Sequence, residues 1–399
     1  MDRRHFLAAG LAAALPARAS ARPGVARIVS SLPRTGAAKG QTDTIVNAIR
    51  LAIDADREPA PGLRVLYSDW DDATAAAGKW DAAAEAANAR RAAADEEVVA
   101  VIGPYNSGAA KVSMPILNEA GVVQISPACT WPGLTKKVAG GTDGEPDIYR
   151  PANRITFCRI CPTDDIQGPF AATFAATELK ATTAVILHDG ELYGQGLATD
   201  FAAGCETHRI RVLTTARITP TDRNQDAAAR MVRDRNPDVV FFGGTTQTGA
   251  PALARALHAA RVRGPLIVPD GCYERAFLES AGADALNGRC YATLGGTDVP
   301  LLGDRGAAFV RAYKDRFKTD PEAYAIYGYE AARAVLAAIR TAGAANREAV
   351  RKALLGTANF EGGVLPRWGF DRNGDTTLKQ LTVSRVAGGQ FEPMKVVTG

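Results

Sequence analysis

The sequence predicts an α/β protein built as two doubly wound, parallel-sheet lobes joined by a hinge that the chain crosses several times. Three observations carry this. The chain has 399 residues, more than one ordinary core accommodates. Short apolar strands alternate with helical segments in two separate runs. Between the runs, Thr135–Asn153 carries Gly140, Gly141, Gly144, Pro146 and Pro151, a stretch too long for an ordinary loop and suited to a crossing between lobes.

The first twenty residues stand apart. Arg3 and Arg4 precede Phe6-Leu7, a short Ala/Leu run and the small-residue site Ala17-Arg18-Ala19. This is the pattern of a secretory leader of the twin-arginine type, expected to be residues 1–19, and it implies a periplasmic protein. Removing Arg3, Arg4 and Arg18 with Asp2 takes the formal charge from +4 to +2. No basic tract points to nucleic acid. Beyond the leader, no run is apolar and long enough to span a bilayer.

In the first run, Ala26–Leu32 is a strand and Gln41–Asp54 a helix with Ile45, Ala48, Ile49 and Ala52 on one face. Leu63–Ser68 is a strand ended by the polar turn Asp69-Trp70-Asp71-Asp72, and Ala76–Ala94 is an Ala-rich helix. The organising stretch is Val98–Leu134: a buried strand (Val98–Ile102), a Gly-Pro turn, a helix opening at Ser107, a second strand (Val122–Ile125) and the turn Ser126–Thr130. Two strand ends thus bring hydroxyls and unpaired backbone donors to one rim of a sheet, where ligands sit in doubly wound folds. The second run places strands at Ala184–Leu187, Arg211–Ala216, Val239–Phe242, Leu266–Val268 and Arg289–Thr293. Helices at Leu197–Cys205, Asp226–Asp234, Ala250–Ala260 and Glu274–Ala281 alternate with them. Helices at Gly306–Phe317, Ala323–Ala342 and Arg347–Leu355 follow, then strands at Val364–Phe370, Leu378–Val386 and Met394–Val397. The expected division is residues 24–148 with 297–362 in the first lobe, and 149–296 with 363–399 in the second.

Six cysteines in an exported chain invite disulfides, with Cys129, Cys158, Cys161, Cys272 and Cys290 as candidates beside Cys205. Cys158 and Cys161 have redox-motif spacing but lie in an extended stretch, where nothing lowers a thiol pKa. Tyr193-Gly194-Gln195-Gly196 begins like a dinucleotide fingerprint, yet Thr199 stands where the third glycine belongs. The carboxylate pairs Asp71-Asp72 and Asp164-Asp165 suit solvated loops or caps. Histidines are scattered, and nothing assembles an acid, a base and a nucleophile. No enzyme activity, cofactor or metal is implied.

VIGPYNSGAA and ILNEAGVVQISPACTWPGLT resemble the leucine/isoleucine/valine-type solute-binding proteins of ABC importers, which have the type I periplasmic binding-protein fold. PTDDIQGP, LHDGELYGQGLA, DVVFFGG and YAIYGYEAARAVLAAI extend the resemblance over nearly all of the chain after the leader. It implies a monomer that captures a small amphipathic solute, a branched-chain or related amino acid, in the cleft between its lobes and delivers it to an inner-membrane permease. It places the ligand carboxylate on Ser107, the Ala128 backbone and Thr130, which agrees with the unpaired donors of a helix's first turn. Tyr193 would lie over the ligand, Asp270 opposite its ammonium, Thr245 beside it, and Tyr324 against its apolar part. Family members for branched-chain amino acids often carry Glu at the place of Asp270, and an aromatic at those of Thr245 and Lys39. These departures, with Cys129 and Trp131 lining the turn, leave open an aromatic acid, a sterol or another lipid. A periplasmic sensor that signals to a partner protein is a further alternative.

Overall fold

In the computed structural model, which describes residues 24–138, 141–219 and 222–398, two sheets repeat one strand order. The leader expected at 1–19 lies outside the described residues. The first sheet runs β2 (Leu63–Asp71), β1 (Gly24–Leu32), β3 (Val98–Ile102), β4 (Val123–Ser126) and β5 (Phe157–Arg159), all parallel. The second runs β7 (Arg211–Arg217), β6 (Thr183–His188), β8 (Val239–Gly243), β9 (Leu266–Val268) and β10 (Cys290–Gly295), also parallel. Antiparallel β11 (Gln380–Ala387) and β12 (Gln390–Thr398) extend its β10 edge. In each sheet the order reverses beside the first strand, the point at which ligands bind in such folds.

Both faces of each sheet are covered, which is why β3 and β8 are unbroken apolar runs, buried at every residue. On the first sheet, Ile28, Val99 and Ile102 pack with α1 (Lys39–Asp54), α11 (Ala325–Ala342) and α12 (Arg347–Leu355). Val29, Val98 and Val101 face α2 (Ala82–Ala94) and α3 (Ser107–Ala120). On the second sheet, Ile186 and Phe241 meet α4 (Asp164–Thr177) and α5 (Leu192–Thr207), with Phe201 and Phe241 stacked at 4.1 Å. Val185 and Val240 face α6 (Asp222–Arg235), α7 (Ala250–Ala259) and α8 (Arg275–Ala281). The short α9 (Ala283–Leu286) and α10 (Gly303–Phe317) complete the helices.

Several expectations shift. β5 belongs to the first sheet, so the first crossing follows Arg159 rather than residue 148. Three residues are too few to show periodicity. Val364–Phe370 forms isolated bridges, not a strand, because Gly362, Gly363 and Pro366 break it and its chain wraps a buried carboxylate. Glu330 accepts from the Leu365 N–H at 2.6 Å, the Val364 N–H and the Trp368 indole. Val364, Leu365, Trp368 and Leu378 therefore join the first-lobe core, and the third crossing falls just before Gln380 instead of at 362.

α2 starts at Ala82, not Ala76, because Asp81 caps it through the Ala83 and Ala84 N–H groups. α4 was not anticipated. α5 begins at Leu192 and contains both glycines of Tyr193-Gly194-Gln195-Gly196, which serve close packing. A Cβ on Gly194 would lie 2.3 Å from Asp189, and one on Gly196 2.3 Å from the Trp131 ring of the other lobe.

All six cysteines are free and buried, which overturns the expected disulfides at Cys129, Cys158, Cys161, Cys272 and Cys290. Thiols lie against backbone carbonyls instead: Cys158 at Gln124, Cys161 at Cys129 and Cys272 at Gly244. Burial pushes the Cys129 thiol up to about 12 and those of Cys158 and Cys161 well up, away from reactivity.

Candidate inter-lobe ligand site

The carboxyl ends of β3, β4, β6, β8 and β9 converge between the lobes. Each contributes a loop whose donors the sheet itself does not consume. Ser107 opens α3 directly after β3, and its hydroxyl accepts from the Trp131 N–H at 3.2 Å. That clasp joins the helix start to the turn after β4. In the turn, the Ser126 hydroxyl accepts from the Ala128 and Cys129 N–H groups at 3.1 and 2.8 Å.

Opposite, β9 ends at Val268 and presents Asp270, a fully buried carboxyl. The Gln167 amide and the Tyr193 hydroxyl donate to its Oδ1 at 2.7 and 2.6 Å, and the Tyr324 hydroxyl donates to Oδ2. Among the described residues no cationic side chain pairs with it. Burial raises its pKa, and the two tyrosines and Gln167 only partly oppose that.

Ser107, Ala128, Tyr193, Thr245, Asp270 and Tyr324 line one narrow cavity between the lobes. Thr130 is buried beside this cavity without lining it. Tyr324 does more than supply an apolar wall. Its ring packs edge-on to Tyr105 at 5.9 Å, and its hydroxyl bridges the first lobe to Asp270 of the second. Thr245 caps a short turn: its N–H donates to Thr248 Oγ1 at 2.9 Å, and Thr248 donates to Asp189 at 2.7 Å. Lys39 points away, paired with Asp43, and its neighbour Ala38 lines the cleft instead.

A second cavity shares Asn106, Ser107, Tyr193 and Thr245 with the first and continues it outward. Its further walls include Trp80 and Leu192. At its mouth Lys79 of the first lobe and Glu191 of the second form an ion pair.

Sequence reasoning missed two parts of this site. Asp164, expected in a solvated cap, is fully buried at the start of α4, and its N–H donates to the Thr130 carbonyl at 3.1 Å. Burial pushes its carboxyl well up, the nearby Asp270 carboxyl adds to this, and the Thr130 hydroxyl opposes it. Asp72 is likewise buried, not solvated, because β2 continues through Asp71. The second omission is Arg159, a fully buried cation behind the Ser126–Trp131 turn. Its only signal in the sequence was an arginine inside the apolar stretch Phe157–Cys161.

A family model described as periplasmic binding protein matches residues 26–390. The Leu/Ile/Val-binding protein BraC3 of Rhizobium johnstonii is 30% identical over 326 residues, covering 81% of this chain and 81% of that protein. Among solved structures, the chain resembles the branched-chain amino acid transporter substrate binding protein LivJ from Streptococcus pneumoniae, in complex with isoleucine. The TM-score is 0.81 and the identity 21%, covering 94% of this chain and 100% of that one. A solute binding protein of an ABC transporter from R. palustris, in complex with benzoate, matches with a TM-score of 0.79 and 18% identity, over 94% and 97% of the two chains.

Proposed function

Because the chain belongs to the periplasmic binding protein family, a family of substrate-binding transport components, we propose that it captures an amino acid of the branched-chain type in the inter-lobe cleft. The observation that carries this reading is Asp270. A carboxyl buried at the cavity wall, ringed by hydroxyl and amide donors and lacking a cationic partner, suits a ligand ammonium. Facing it, the first turn of α3 and the turn after β4 offer donors for a carboxylate, Ser107 and Thr130 among them. The Ala128 carbonyl, Thr245 and the rings of Tyr193 and Tyr324 complete the enclosure. The protein would work in the periplasm as a monomer and pass its ligand to an inner-membrane permease. Residues 149–160 and 363–378 then act with the first lobe, and closure turns about the segments near 160, 296 and 379.

The continuation of the cleft past Trp80 favours a second reading, an aromatic acid longer than leucine, whose ring would lie against that indole. Native mass spectrometry of freshly exported protein separates the two. An amino acid released on unfolding supports the first reading; a nitrogen-free acid or a lipid in its place rejects it.

A further inference from the structure

We infer that Arg159 is a positioning residue: paired with Asp375, it turns the Thr130 amide away from itself, toward the cleft side of the Ser126–Trp131 turn, and ties that turn to the hinge. The inference rests on the ligand site proposed above. A buried guanidinium needs acceptors for a planar fork of donors, and here every acceptor belongs to the turn, to Thr135 just after it, or to the hinge. Arg159 Nε donates to Asp375 Oδ1 at 2.7 Å, and Nη1 donates to the carbonyls of Cys129 and Trp131 at 2.9 and 2.7 Å. Nη2 donates to the Thr135 hydroxyl, which itself donates to Asp375 Oδ2 at 3.0 Å.

The consequence for the site follows from peptide geometry. The Cys129–Thr130 bond is trans, so drawing the Cys129 carbonyl toward Arg159 turns the Thr130 N–H the opposite way. The neighbouring amides are already committed: Ala128 and Cys129 donate to Ser126, and Trp131 donates to Ser107. Residue 132 is a proline and has no N–H. Thr130 is thus the one amide of residues 128–132 left to donate to a ligand, among the described residues.

The consequence for the hinge follows from where the pair stands. Arg159 ends β5, immediately before the chain crosses to α4, and its own N–H donates to the Gly374 carbonyl at 3.0 Å. Asp375 lies in the segment that leads into the third crossing, ahead of β11. One side chain therefore holds two crossing segments and the turn together. Rotation at the hinge and the aim of the Thr130 amide are linked through it.

The test uses Arg159→Lys, which keeps the charge but loses the fork, and the neutral double variant Arg159→Gln/Asp375→Asn. The second covers the case in which an unmatched charge prevents folding. Amide hydrogen exchange without ligand should quicken about tenfold in residues 126–135 and stay unchanged in β1–β3. Affinity for L-leucine should fall about thirtyfold, while affinity for L-leucinol, which lacks the carboxylate, should stay within about threefold. Unchanged exchange in 126–135, or equal acceleration throughout the lobe, overturns the inference. Equal loss for leucine and leucinol does so too. If the unsubstituted protein binds neither probe, the amino-acid reading fails by itself, and the exchange arm still decides the role of Arg159.

Discussion

Asp270 and Glu85 show how one functional group, a carboxyl, serves two ends through its surroundings. Asp270 is buried among hydroxyl donors at the cleft wall, so its raised pKa has a direct reading in binding. An ammonium ligand needs the carboxylate ionised, and its affinity is therefore lost as pH falls through that raised value. Calorimetric titrations with L-leucine at successively lower pH should weaken toward the acid end, and Asp270→Asn should abolish the trend along with the tight binding. Glu85 lines neither cavity. Burial pushes its carboxyl from the ordinary 4.5 to about 7, while the Ser31 and Ser113 hydroxyls pull the other way. Asp72 rises well above its ordinary range through burial, with the Glu85 and Asp71 charges adding to it. No cation is among the groups acting on this pair. Their raised values mean that the folded state binds more protons, so the stabilisation is complete below about 4.5 and is lost as pH rises through about 7. Thermal unfolding from pH 4.5 to 8 should show this fall. Asp72→Asn should flatten it and stabilise the protein at pH 8 by about 1 kcal/mol.

At the scale of elements, the close approach of α5 to the Trp131 ring is what the Gly196 position permits. A methyl group there would meet the opposite lobe, not its own. Gly196→Ala should therefore leave the melting temperature unchanged while weakening L-leucine about tenfold or more, because closure is obstructed. A matching loss of stability would place the contact within one lobe's core instead. The same element marks how far the sequence was legible. β3, β8 and β9 were placed to within a residue, because buried parallel strands are short apolar runs with clear ends. α4 escaped because Gly168 and Pro169 interrupt its pattern, and β5 because three residues carry no period. Ser107, Ala128, Tyr193, Thr245, Asp270 and Tyr324, which family likeness joined to strand-end position singles out, line one cavity. Asp164 and Arg159 were not found, since burial of a charge is decided by which segments fold over it. The hinge segments do that, and they lie far apart in the chain. The disulfide expectation failed for a related reason: export permits a bridge, but each thiol's direction is set by the packing of its own strand or turn.

For the whole molecule, the lobes meet across the cleft through few polar contacts. Lys136 pairs with Asp165 at 2.8 Å, Lys79 pairs with Glu191, and the Arg275 N–H donates to Glu322 at 3.1 Å. These two ion pairs, and a third at 3.8 Å between the Arg275 guanidinium and Glu322, are partly exposed, and such pairs contribute at most about 1 kcal/mol each. Closure thus rests on the enclosed ligand and its contacts with Asp270, with the rim pairs secondary. Glu191→Ala should change L-leucine affinity less than about fivefold, against about a hundredfold for Asp270→Asn. A rim variant as damaging as the cleft variant would move the source of closure to the mouth. The most direct test of the central claim is a paired titration of the unsubstituted protein with L-leucine and with 4-methyl-2-oxopentanoate. The two ligands share a side chain and a carboxylate, and only the first carries an ammonium. Leucine should bind at least about a hundredfold tighter. Equal affinity, or preference for the keto acid, would contradict it.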